Sequence, residues 1–72
     1  MYTQFHINGK SVGSTEIPDK LAYALRQGDW LAMADCFERP KDLPDEVCIA
    51  DKSYGLDKHR VVTLDLYVTT EP

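Results

Sequence analysis

Ile17–Arg39, IPDKLAYALRQGDWLAMADCFER, decides how the remainder of the chain is read, because it is the only stretch long and periodic enough to suggest helix. Pro18 suits a first helical position, where its missing N–H is not needed. Asp19 follows in the first turn, where the helix dipole favours negative charge. Leu21 and Leu25, with Ala24 and Gly28, form one narrow apolar stripe. Trp30, Met33, Ala34 and Phe37 form a second and wider one. At about 100° per residue the two stripes fall on roughly opposite sides of a continuous rod. The spacing therefore predicts a break at Gln27-Gly28-Asp29. Gly28 would close a first helix in the left-handed conformation, and Asp29 would cap a second. Pro40 would end that second helix. The competing expectation is one long helix with a face turned to a partner.

Strand-like pieces flank this stretch. Tyr2–Ile7 alternates, with Thr3, Phe5 and Ile7 on one side and Tyr2, Gln4 and His6 on the other. Asn8-Gly9 comes next, a strong signal for a two-residue hairpin turn. It predicts that Ile7 opposes Lys10 and Phe5 opposes Val12, with Lys10–Gly13 as a short polar edge strand. Beyond the helical stretch, Pro40–Asp45 holds two prolines and two acids and reads as a loop. Glu46–Ala50 places Val47 and Ile49 on one face. Asp51–Arg60 is polar, with Gly55 at its centre, and reads as a hairpin connection turning near Tyr54-Gly55. Val61–Thr70 is the clearest strand: Val62, Leu64, Leu66 and Val68 point one way, and Thr63, Asp65, Tyr67 and Thr69 the other.

These pieces predict one α+β domain spanning residues 1–72. Two short helices would pack on one face of a small antiparallel sheet of three or four strands, in the order β-β-α-α-β-β. The expected core is Phe5, Ile7, Val12, Leu21, Leu25, Trp30, Leu31, Met33, Phe37, Val47, Ile49, Val62, Leu64, Leu66 and Val68. Trp30 is expected to be covered rather than exposed, as tryptophan usually is. A domain this small is marginal unless well packed or oligomeric. A homodimer is therefore attractive, with Val61–Thr70 pairing its copy if that strand lies at the sheet edge.

With 43% hydrophobic and 28% charged residues, the composition is that of a globular chain rather than a disordered one. No apolar run approaches a membrane span, and no export signal precedes the first strand-like residues. Cys36 and Cys48 are too few for a disulfide framework. They read as reduced thiols that pack like small hydrophobes in a cytoplasmic protein, although a helix-to-strand disulfide is not forbidden by their spacing. The net charge is −4. Residues 1–41 carry five acids and five bases, whereas residues 42–72 carry seven acids and three bases. The imbalance lies wholly in the second part. It argues against a phosphate backbone as partner and permits a basic protein surface.

The chemistry expected is sparse. His6, His59, Cys36 and Cys48 match no zinc spacing, so no metal is expected, and no cofactor. Cys48 and His59 could meet across a hairpin, but a nucleophilic cysteine also needs an orienting group and a cleft. No catalytic residue is assigned and an enzyme is not expected. The helix pair at residues 18–39 invites a helix-turn-helix reading and hence a nucleic-acid-binding regulator. Its second helix, however, would bring Asp29, Asp35 and Glu38 to the groove with only Arg39 opposed. The preferred expectation is a small acidic protein-binding module acting through the open sheet face and the loop beside it. Asp51, Tyr54, Asp57, Asp65 and Tyr67 are the expected partner-contact residues, tyrosines amid small polar groups making good contacts. Short, acidic, motif-poor chains of this type resemble accessory proteins of phages and mobile elements, inhibitors and antitoxins. That resemblance implies a protein partner with a basic surface, and in its sharpest form mimicry of nucleic acid.

Overall fold

The computed structural model describes residues 1–36 and 38–71. Among these residues, five strands and one short helix occur in the order β1 (Tyr2–Ile7), β2 (Lys10–Glu16), α1 (Asp19–Ala24), β3 (Trp30–Ala32), β4 (Glu46–Leu56) and β5 (Val62–Thr69). The strands form a single sheet in the order β2-β1-β5-β4-β3, curled into a half-barrel. All neighbours are antiparallel except β1 and β5, which run parallel.

The expected α+β arrangement of two helices on an antiparallel sheet is thus corrected to a mixed, sheet-dominated fold. The first helix forms but ends at Ala24, because Leu25 has already turned to extended backbone. The chain does break where expected, with Gly28 at φ 93°. Beyond that break the chain forms a strand, not a second helix. Trp30 and Ala32 point out while Leu31 and Met33 are buried, which is a period of two rather than 3.6. The reason is tertiary: Leu31 lies opposite Val47 and Trp30 opposite Cys48. A strand partner supplies the backbone hydrogen bonds that a helix would have made internally. Two further bonds, Gly28 N–H to Ile49 O and Ile49 N–H to Asp29 O, each 2.8 Å, carry the pairing back to the break. Without a second helix, no helix-turn-helix exists among the described residues of 18–39 to enter a groove. Phe37, expected in the core, lies outside the described residues.

The Asn8-Gly9 turn forms as its sequence requires, with φ of 52° and 79°. Ile7 opposes Lys10, but a bulge then shifts the register, and Phe5 faces Gly13 rather than Val12. Gly13 adopts φ 132°, and a Cβ built there would lie 2.6 Å from Cβ of Pro40. Only glycine lets the loop after β3 lie this close to β2.

β5 is central, not an edge, flanked by β1 and β4. The edge-to-edge dimer through this strand is therefore ruled out. Its apolar row Leu64, Leu66 and Val68 meets Phe5, Val47 and Ile49 in one buried cluster, joined by Ile17, Ala22, Leu25, Leu31, Met33 and Leu43. Leu21, Trp30 and Val62, expected in this core, are exposed. β4 is also longer than expected. Asp51–Leu56 continues the strand past a bulge at Ala50, and the turn falls at residues 57–61. Among the described residues no helix is long and apolar enough to cross a membrane.

Candidate functional site

The sheet has an inner face, filled by the core and α1, and an outer face on which no described element packs. Strand register assigns side chains to the outer face. Tyr2, Gln4 and His6 of β1 lie beside Asp65 and Tyr67 of β5. On the other side of β1, Ser11, Ser14 and Glu16 lie opposite His6, Gln4 and Tyr2. β4 contributes Asp51 opposite Tyr67 and Ser53 opposite Asp65. At the far edge Trp30 stands opposite Cys48, and Ala32 opposite Glu46.

Cross-strand contacts hold this face in one arrangement. The His6 ring stacks on Tyr67, centroids 4.7 Å apart and planes 19° from parallel. Nε2 of the same ring lies 2.9 Å from Asp65 Oδ1. The hydroxyls of Tyr2 and Ser14 share a hydrogen bond of 2.6 Å, and Gln4 Nε2 donates to Ser11. Tyr67 is 39% exposed, and Tyr2 and Trp30 are each 50% exposed. Four carboxylates, Glu16, Glu46, Asp51 and Asp65, occupy outer-face positions. Among the described residues none of the strand positions on this face is lysine or arginine.

Of the five residues singled out by sequence, Asp51, Asp65 and Tyr67 are together on this face. Tyr54 is not. It lies opposite Leu64 on the inner side, its ring 5.8 Å from Tyr23 and its hydroxyl donating to Ala22 O at 3.4 Å. Asp57 is engaged in the β4–β5 turn, where its Oδ1 accepts from His59 N at 2.7 Å and Val61 N at 3.0 Å. That carboxylate shapes a turn around Arg60, which sits at φ 62°. Sequence reading missed Glu16, Glu46 and Trp30 as members of the face. For Trp30 no signal was present, because Trp30 to Met33 are all apolar and show no alternation.

An Asp–His pair can orient an imidazole for proton transfer. Here the pair lies on an open face, with Gln4 holding the nearby Ser11 hydroxyl. Among the described residues, no three of His, Cys, Asp or Glu are grouped as metal ligands would be. Cys36 and Cys48 are both free thiols. Cys48 is buried where it lines a cleft of about 250 Å³ with Gly28, Ala50 and Thr69.

At the N-terminus, the Met1 ammonium lies 2.8 Å from Asp19 Oδ1 and 3.1 Å from Glu16 Oε2. The Asp19 hydrogen bond, more than any other contact, raises its pKa above the usual value of 8.0. No protein family, curated protein or solved structure matches the chain.

Proposed function

We propose that this chain is a non-catalytic binding module that presents its uncovered sheet face to a basic surface on another protein. One observation carries the reading: four carboxylates and three exposed aromatic rings share a face free of lysine and arginine among the described residues. Aromatic side chains give contact area at small entropic cost. Carboxylates steer a basic partner and select its orientation. The cross-strand hydrogen bonds and the His6–Tyr67 stack order the face in advance, which lowers the cost of association. The same charges repel a phosphate backbone, so nucleic acid is a poor occupant. An inhibitor or accessory role of the phage or mobile-element type fits this chemistry and rests on resemblance of type. A cytoplasmic setting is supported by two free thiols.

The test is capture of a partner from native host lysate on the immobilised full chain, with subsequent competition by variants. Asp65→Lys and Tyr67→Ala should release the partner while leaving the far-ultraviolet circular dichroism and unfolding midpoint close to wild type. A partner held equally by both variants would contradict the reading. So would variants that unfold, since these side chains would then belong to the core.

A further inference from the structure

His6 is the histidine of the outer face; His59, the other in the chain, lies in the β4–β5 turn. Histidine is the side chain whose charge ordinarily changes between about pH 5 and 8. The His6 side chain is 18% exposed and that of its partner Asp65 34%. A ring nitrogen 2.9 Å from a carboxylate oxygen carries the proton, so the neutral ring is the Nε2–H tautomer. Its lone pair is then on Nδ1. Among the described residues Nδ1 has no hydrogen-bond partner, yet the buried side-chain polar atom left without one is Thr15 Oγ1. Nδ1 therefore reaches solvent, as an acceptor on the ring that Asp65 holds. The groups around it come from four strands. β5 supplies Asp65 and, stacked on the ring, Tyr67. β1 itself adds Tyr2. β2 places neutral Ser11 opposite the ring and Glu16 farther along, opposite Tyr2. β4 adds Asp51, opposite Tyr67. The bases Lys10 and Lys52 pair with Ile7 and Leu66, so they belong to the other side of the sheet.

We propose that His6 is a proton switch that sets how strongly the outer face holds a basic partner. The inference rests on the binding role proposed above and adds its regulation. With the ring neutral, Asp65 keeps its full charge and Nδ1 accepts a hydrogen bond from a lysine or arginine. A proton on Nδ1 makes the ring a cation. It then offsets the Asp65 charge, removes the acceptor and opposes the partner's own cation. Affinity for a basic partner is therefore high with the ring neutral and falls as pH drops through the titration of His6. The Nε2–H bond to Asp65 is available in both states, so the charge changes while the pairing stays.

Two measurements on the full chain test this. In long-range proton–nitrogen spectra of the imidazoles, taken from about pH 8 down to about pH 5.5, His6 should begin as the Nε2–H tautomer, and the Tyr67 ring resonances should move with its titration. An Nδ1–H tautomer at the alkaline end, or a Tyr67 ring indifferent to the titration, would overturn the proposal. Binding of an octalysine peptide, followed by calorimetry over the same range, should weaken about three- to tenfold on acidification, as expected for one unit charge beside a partly exposed pair. His6→Phe, which keeps a ring to stack on Tyr67, and His6→Gln should each remove most of that change, whereas His59→Gln should not. A loss of affinity on acidification that both His6 variants retain would overturn the switch and leave the binding face standing. Octalysine that does not bind at the alkaline end would contradict the binding role itself, and the switch with it.

Discussion

Lys52 sits where the alternation of β4 calls for an aliphatic side chain, opposite Leu66 on the inner face. Its stem crosses apolar surface, and its ammonium donates to the carbonyls of Ala22 at 3.0 Å and Tyr23 at 3.4 Å. These are carbonyls at the end of α1 that have no partner within the helix, and a cation there is favoured by the helix dipole. Lys52→Met keeps the stem and removes the cap. It should cost about 1.5–3 kcal/mol in urea unfolding, the range for a hydrogen bond to a charged group. Gly13→Ala should cost about 1–3 kcal/mol through its left-handed φ, and the contact with Pro40 adds to that. The Met1 ammonium gives a pH dependence. Its pKa is raised in the fold, chiefly by Asp19, so its stabilising contribution is complete below the unfolded value of 8.0 and is lost as pH rises through the folded value. The urea midpoint should therefore fall above about pH 8, and Asp19→Asn should flatten that fall.

Among the elements, β1, its turn and β5 were legible because each carries its own signal: strict alternation, or a dipeptide suited to positive φ. Three features were hidden. Residues 30–33 carry too few side chains to distinguish a period of two from a helical stripe. Their strand character comes from Val47 and Cys48, which are distant in the chain and pair with Leu31 and Trp30. The second part of β4 reads as polar because Lys52 snorkels, which disguises the inward row Lys52, Tyr54, Leu56. The parallel pairing of β1 with β5 has no local signature at all. The strand reading of residues 30–32 makes a sharp mutational statement. Leu31→Ala should cost about 2–5 kcal/mol, as buried leucines do, while Trp30→Ala should change stability by no more than about 0.5 kcal/mol, as exposed positions do. A helical stripe through Trp30 and Met33 would instead make the tryptophan the costlier loss.

At the scale of the whole molecule, strand order sets where function can reside. With β5 at the centre, its outward residues Asp65 and Tyr67 stand in the middle of the uncovered face rather than along an edge. Period-two alternation was enough to place those two outward. It could not show that β1 brings His6 against them, nor that β2 and β3 bring Glu16 and Trp30 to the same side. Tyr54 and Asp57 were assigned to a binding loop because the end of β4 could not be seen. One serves the helix and the other the turn. The same strand order closes the β5 edge to a partner copy.

The parallel contact between β1 and β5 is the pairing on which the outer face depends, and nuclear Overhauser effects between backbone protons report it directly. Cross-strand effects in parallel register should join Gln4 to Asp65 and His6 to Tyr67, flanked by antiparallel effects from β5 to β4. A spectrum in which β5 has only one strand neighbour, or in which residues 30–39 give sequential helical contacts, would contradict the account.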